Sequence, residues 1–281
     1  MRPGAGTRMA AVIGRPVGHS LSPLIHNAWL EAAGIDAVYL ALAPSDDAAF
    51  WTLMDALRIN GALGVNVTAP FKGAALTWAE LNDADLTPAA LAAVSVNLLG
   101  LSRDRPLAAS TDGEGLIQAI RDQAPDLDLA GGPAVVLGAG GAGRAAVEAL
   151  KAEGVDDIRV VNRSVERADD LARVSGQGVS AWALADAPDA LDGSHLLINA
   201  ISMPVALDLS PMAACAAVMD MTYRPLKTDL LVTAEARGLV PVDGLAMLIG
   251  QARPSFEVLF GRVAPAVDVR SLCLAALEVG R

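Results

Sequence analysis

The sequence predicts an α/β protein of two domains, the first of them built on a mostly parallel sheet. Three observations carry this. In the first half, short aliphatic runs alternate with segments of helical periodicity, the β-α-β-α pattern of a parallel sheet. At mid-chain, Ala134-Val135-Val136-Leu137-Gly138-Ala139-Gly140-Gly141-Ala142-Gly143 places a glycine turn between a buried-strand pattern and a helix. And 281 residues are long for one core, so the chain ahead of that turn must do something else.

Composition narrows the function. Hydrophobic residues make up 53% and charged residues 19%, which excludes a disordered chain. A net charge of −11 argues against a general nucleic-acid binder and against attraction to anionic membranes. It leaves room for a local basic pocket. Cys215 and Cys273 form neither a disulfide framework nor a metal knuckle; buried, reduced thiols are expected. His19 and His26 have no metal-ligand spacing, so no metal site is expected. The apolar run Met9 to Ile13 is too short for a signal core, and no stretch of about 18 apolar residues exists. A cytoplasmic protein follows as the expectation.

Ala10 to Ile13 reads as the first strand, broken by Gly14-Arg15-Pro16-Val17-Gly18. Ser22 before Pro23 reads as a helix start, with serine as cap, and Gly34 ends that helix. For Ser22, capping and a ligand role both stand; Ser20 is freer. Val38 to Leu42 is a second strand. Ser45 caps the next helix, with Asp46 and Asp47 matching its dipole and Phe50, Leu53, Met54 and Leu57 as its buried stripe. In Gly64 to Thr68, Val65 and Val67 alternate with Asn66 and Thr68, so the amide and the hydroxyl share one face. Pro70 stops this strand. Lys72 then emerges past its carboxyl end, where parallel sheets bind ligands; a surface lysine is the plain alternative. Val94 to Leu99 reads as a strand carrying Asn97. Leu107 to Ser110 leads into Thr111-Asp112-Gly113-Glu114, a capping-box pattern. Asp112 stands at that strand-to-helix corner, where a first-turn carboxylate stabilises the helix.

In the glycine turn, Gly138 permits the tight bend and Gly140 lets backbone approach a pyrophosphate. Gly143 lets helix and strand pack closely. Gly141 and Ala142 complete the turn, whose N–H groups and helix dipole favour an anion. Ile158 to Val161 is the next strand. NAD-binding domains usually place Asp or Glu at that strand end; here stand Asn162 and Arg163, with Arg167 one turn beyond. Guanidinium pairs with a ribose phosphate bidentately, and Arg163 can stack on adenine. NADP is therefore expected over NAD, against the alternative of two solvated arginines. Ser164 caps the following helix. Leu196 to Ala200 and Val218 to Met221 are further strands, and Tyr223 follows the last. Thr228 begins a helix, Gly244 opens a segment to Phe260, and Ala266 to Leu277 forms the last helix. Gln251 lies among apolar neighbours, where an amide needs a partner.

Several of these stretches stand together in one order. Ser20-Leu21-Ser22-Pro23, Asn66-Val67-Thr68-Ala69-Pro70-Phe71-Lys72, Val96-Asn97, Thr111-Asp112-Gly113 and the glycine turn resemble the shikimate dehydrogenase family. Tyr223-Arg224-Pro225 with Thr228, and Gly244-Leu245-Ala246-Met247-Leu248 with Gln251 and Phe256, extend the likeness over nearly the whole chain. The resemblance implies a substrate domain at 1–112, completed by helices at 245–281, and a Rossmann-like NADP-binding domain at 113–244. It implies that Ser20 and Ser22 hold a substrate carboxylate, and that Asn66, Thr68, Asn97 and Gln251 contact ring hydroxyls. Tyr223 joins that substrate set, Met221 and Gly244 the cofactor set.

The resemblance further implies that Lys72 and Asp112 are the catalytic pair. Oxidising a secondary alcohol loses a proton as hydride leaves. A lysine beside a carboxylate can hold the hydroxyl and pass that proton. The implied activity is reversible reduction of 3-dehydroshikimate to shikimate with NADP. Three departures bear on the exact substrate: Leu98 after Val96-Asn97, Ser110 before Thr111-Asp112, and Ile201-Ser202-Met203-Pro204 after Asn199-Ala200. Quinate, or an amino-substituted or otherwise modified relative, is the alternative substrate. A non-catalytic NADP-binding regulator is the second alternative, against which the presence of both Lys72 and Asp112 argues. The partners expected are a small cyclohexene or cyclohexane carboxylate and NADP, without nucleic acid or membrane, in a monomer or homodimer.

Overall fold

The computed structural model describes residues 4–201 and 203–279; Ser202, within the Ile201–Pro204 departure, lies outside the described residues. The chain divides into two compact units, one formed by the residues up to Thr111 and from Gln251 onward, the other by Asp112–Gly250.

The first unit opens with β1 (Arg8–Ile13), α1 (Ser22–Ala33), β2 (Ala37–Leu42), α2 (Asp47–Ile59) and β3 (Gly64–Val67). It continues with α3 (Lys72–Leu81), β4 (Asp85–Leu86), α4 (Pro88–Ala93), β5 (Leu98–Gly100) and β6 (Leu107–Ala109). The sheet order is β2-β1-β3-β5-β6-β4. β1 runs parallel to β2 and β3, whereas β5 runs antiparallel to β3 and β6. Phe50 and Met54 of α2 meet Val65, Val67, Phe71 and Trp78 in its core, which is the buried stripe that helical spacing marks on α2.

The second unit comprises α5 (Asp112–Gln123), β7 (Ala134–Leu137), α6 (Gly141–Ala152), β8 (Ile158–Asn162), α7 (Val165–Ser175) and β9 (Val179–Ala183). Then come α8 (Ala187–Leu191), β10 (Leu196–Asn199), β11 (Ala217–Asp220), α9 (Asp229–Ala236) and β12 (Val240–Asp243). All its strands are parallel, in the order β12-β11-β10-β7-β8-β9. The chain walks outward from β7 to β9, then returns to the other side of β7 at β10. This is the doubly wound arrangement, with its switch point at β7/β10. Period-2 alternation sends Ala134 and Val136 into one core with Leu116, Ile120 and Val147. Val135 and Leu137 enter the opposite core with Leu191, Leu230 and Leu231. Both faces of β7 are covered, so its sequence is continuously apolar. The chain ends with α10 (Gly244–Phe260) and α11 (Val269–Val279), and α11 packs on α1.

Several local expectations need correction. Val94 to Leu99 is not one strand: the strand begins at Leu98, and Val94 ends α4 in the left-handed region at φ 48°. Thr87 caps α4 through Ala90 N–H, and Pro88 opens it; capping outweighs the β-branched residues that follow. Ser45 does not cap α2. The Asp46 carboxylate does, accepting from Ala49 N–H at 2.8 Å, while Ser45 donates to that carboxylate. A negative group suits a helix start better than a hydroxyl. Ser22 is the first residue of α1 rather than its cap; the cap position is Leu21, with no side-chain bond. Ser164 holds the cap position of α7, but its hydroxyl donates to Glu166 instead of closing the helix. Cys273 is buried, whereas Cys215 is exposed.

Candidate active site

The first unit gathers its polar residues at one edge of the sheet. Ile13 of β1 and Val67 of β3 are in register at their carboxyl ends. Thr68 N–H donates to Ile13 O at 2.8 Å, and Arg15 N–H donates to Ala69 O at 3.0 Å. The loop that carries Ser20 is thus tied to the loop that carries Thr68. Ser20 Oγ accepts from Ser22 N–H at 3.3 Å, so Ser20 does the local backbone work and Ser22 does not cap. Because β5 runs antiparallel to β3, the residue preceding it arrives at the same edge: Val67 N–H donates to Asn97 O at 2.8 Å. Lys72 opens α3 directly after Phe71, a buried ring stacked on Phe50 with centroids 5.3 Å apart. Its side chain is half-buried.

Asn66, Asn97 and Gln251 join in one hydrogen-bonded network. Asn97 Nδ2 donates to Gln251 Oε1 at 3.2 Å and to Thr111 Oγ1 at 3.1 Å. Thr111 N–H donates to Asn97 Oδ1 at 2.9 Å. Asn66 Nδ2 donates to Asn97 O at 3.2 Å and to Ser255 Oγ at 2.8 Å. Tyr39 Oη–H donates to Asn66 Oδ1 at 2.8 Å. Sequence reading missed Tyr39, Thr111 and Ser255 as members. Tyr39 reads as an ordinary strand aromatic, and Ser255 as one more residue of α10; only folding shows that both hydroxyls reach Asn66.

His26 stacks face to face on Tyr39, with centroids 4.1 Å apart and planes 6° apart. It is buried, and its Nδ1 has no hydrogen-bond partner. Burial lowers its imidazole from 6.5 to about 3. The folded protein keeps it neutral above that value, while the unfolded chain takes up a proton near 6.5. The unfolded state therefore binds more protons between those values, and stability is lost as pH falls through that window. The expected slope is about 1.4 kcal/mol per pH unit below about pH 5.5. Urea midpoints should be lower near pH 5 than near pH 7, and the gap should shrink in His26→Phe.

In the second unit, α6 begins at Gly141 with Gly140 as a cap that supplies no side-chain bond, which leaves the N–H groups of its first turn for an outside acceptor. A Cβ on Gly140 would meet nothing within 4 Å, whereas one on Gly143 would lie 1.8 Å from Gly138 O. The turn is closed by backbone crossing at Gly143 and open at Gly140, which fits a pyrophosphate. Gly138 itself has φ +103°. At the end of β8, Asn162 Nδ2 donates to Ser164 O at 2.8 Å and shapes the next turn. Arg163 and Arg167 are exposed, and neither forms an ion pair among the described residues. Two unpaired cations there fit a phosphorylated ribose. Ala142 is half-buried in the first turn of α6.

After β11, a Cβ on Gly244 would lie 2.3 Å from Met221 O, so the start of α10 and the Met221 backbone come together only because no side chain intervenes. Buried Asp220 organises the loop that bears Tyr223. It accepts from Thr222 N–H at 2.9 Å and from Thr228 Oγ1 at 2.8 Å. Asp220 was not foreseen; an apolar strand ending in a carboxylate was the available signal. Asp112 is 3% exposed and opens α5. No helix among the described residues is long and apolar enough to cross a membrane, and none of their His, Cys, Asp and Glu side chains cluster to hold a metal.

Comparison with known proteins gives these features a common setting. Residues 12–99 match the model of the shikimate dehydrogenase substrate binding domain, and residues 120–224 that of shikimate / quinate 5-dehydrogenase. A shikimate dehydrogenase (NADP(+)) of Caulobacter vibrioides is 46% identical, covering 96% of this chain and 95% of the relative. The enzyme of the same name from Rhodospirillum rubrum is 44% identical over 93% and 94%. Among solved structures, shikimate 5-dehydrogenase from Thermus thermophilus in complex with NADP(H) and shikimate is 32% identical, with a TM-score of 0.84 and coverage of 96% and 100%. Quinate dehydrogenase from Corynebacterium glutamicum in complex with NAD is 27% identical, with a TM-score of 0.86 and coverage of 96% and 99%. Alike in sequence from end to end and in the fold of both units, this chain belongs to the shikimate dehydrogenase family.

Proposed function

We propose that this chain is an NADP-dependent oxidoreductase that interconverts 3-dehydroshikimate and shikimate. The observation that carries this reading is the network of Asn66, Asn97 and Gln251 at the sheet edge of the first unit, beside the loop that leads to Lys72. A ring bearing several hydroxyls needs several fixed donors and acceptors, and this edge supplies them. Ser20 and Ser22 hold the substrate carboxylate; Asn66, Thr68, Asn97 and Gln251 meet the ring hydroxyls, and Tyr223 belongs to the same substrate set. NADP held there would supply the hydride acceptor for oxidation of the carbinol carbon, and NADPH the hydride donor for the reverse reaction. Lys72 holds the reacting hydroxyl and takes its proton as the alcohol is oxidised, then gives it back on reduction. Asp112 keeps the lysine positioned.

The residues that would hold the cofactor are Gly138, Gly140, Gly141, Ala142, Gly143, Met221 and Gly244, with Asn162, Arg163 and Arg167 toward its ribose phosphate. The protein acts in the cytoplasm as a monomer or homodimer, which light scattering on the purified chain distinguishes. The test is NADPH formation at alkaline pH with shikimate, quinate and simple polyols side by side. Turnover confined to shikimate is expected; turnover confined to quinate would transfer the assignment to that substrate. Removing both guanidinium groups, Arg163→Ala with Arg167→Ala, should raise KM for NADP about 10- to 100-fold and leave KM for NAD nearly unchanged. Equal losses with both cofactors would remove these arginines from phosphate recognition.

A further inference from the structure

We propose that Tyr39 and Ser255 are positioning residues that lock the Asn66 amide with Oδ1 turned toward the ligand, so that this point of the site accepts only a group able to donate a hydrogen bond. The inference rests on the substrate reading given above, since it assigns a task to two hydroxyls behind Asn66. The orientation of the amide follows from a backbone group. Asn97 O can only accept, so the Asn66 atom 3.2 Å from it is Nδ2. The second proton of Nδ2 goes to Ser255 Oγ at 2.8 Å. Ser255 is wholly buried and donates its own proton to Gln251 O at 3.0 Å, which turns its lone pairs toward Asn66. Both donors of the amide are then spent.

Oδ1 has two lone pairs, and Tyr39 Oη–H occupies one at 2.8 Å. One acceptor site remains on a half-buried side chain. A ligand hydroxyl can fill it; an ether or a carbonyl oxygen cannot. Tyr39 is 1% exposed, and the stacked His26 ring fixes its plane. Burial also pushes the Tyr39 phenol well above its usual value of 10.0, so it remains a donor through an alkaline assay.

The experiment compares wild type with Tyr39→Phe and Ser255→Ala, each alone and each combined with Asn66→Ala. Substrates are shikimate and analogues in which one ring hydroxyl at a time becomes methoxy or hydrogen. Each single variant should raise KM for shikimate about tenfold with kcat changed less than about threefold and KM for NADP unchanged. The wild type should reject one methoxy position sharply, and the variants should discriminate there less. Neither substitution should add a further loss in the Asn66→Ala background, because both act through that amide. Thermal melting identifies a variant that fails to fold, and the other then carries the comparison. If the wild type oxidises shikimate but both variants match it, or their losses persist without Asn66, the positioning role is overturned while the activity stands. If the wild type leaves shikimate untouched, the activity assignment itself fails and the positioning role falls with it.

Discussion

Lys72→Ala should lower turnover about 10²- to 10⁴-fold, the range expected for a removed proton-transfer group, while KM for shikimate changes only a few-fold. The position itself argues for a chemical role. Lys72 is the first residue of α3, and no acidic side chain stands in that first turn. A cation at a helix start opposes the helix dipole, so helix stability gives no reason for a lysine there. The local structure nonetheless holds the residue firmly. Phe71 is 1% exposed and stacked on Phe50, and Phe71 N–H donates to Thr68 O at 3.0 Å. The loop is thus anchored immediately ahead of the lysine. Steady-state kinetics with saturating NADP give the test. Turnover equal to wild type would remove Lys72 from the chemistry, and a loss confined to KM would make it a binding residue.

Gly143→Ala should abolish productive cofactor binding, with KM for NADP raised about a hundredfold or more. An added Cβ would stand 1.8 Å from Gly138 O and 2.8 Å from Gly138 C. Both contacts are to backbone, so no side chain can swing aside. The turn must open by an ångström or more, and misplacement of that size typically costs about 10²-fold in a preorganised site. The same shift would loosen Val136 and Val147, which pack in the core beneath, so the melting temperature should also fall. Gly140→Ala is the matched comparison. Nothing lies within 4 Å of its added Cβ, so the apo protein should fold as wild type does, and any loss should appear only when NADP is added. A Gly143→Ala protein with normal NADP affinity would contradict this account of the turn.

The parts of this molecule that could be read from the chain are those with a short physical cause. A run such as Ala134 to Leu137 must be a strand covered on both faces, and the glycine spacing after it must be a close backbone crossing. The stripe Phe50, Met54, Leu57 is a core-facing helix at a glance. Of the elements that escaped, β4, α4, β9, α8 and β12 are short, and their few residues carry too little periodicity; the ten-residue α3 escaped because it starts without a side-chain cap and is built largely of small residues. Cap chemistry also escaped: whether Ser45 or Asp46 closes α2 depends on one bond of 2.8 Å, decided by charge at the helix start.

Asn66, Asn97 and Gln251 could be picked out as polar residues among apolar neighbours, because an amide in such surroundings needs a partner. Who that partner is could not be read, because it comes from far along the chain. Asn66 and Ser255 are 189 residues apart, Asn97 and Gln251 154. Local patterning thus specifies the two α/β units, the glycine cradle and the roster of polar side chains. Which lone pair or N–H each of them leaves for a ligand is settled only when distant segments fold together, because hydrogen-bond capacity is used up by whatever neighbour arrives within about 3 Å.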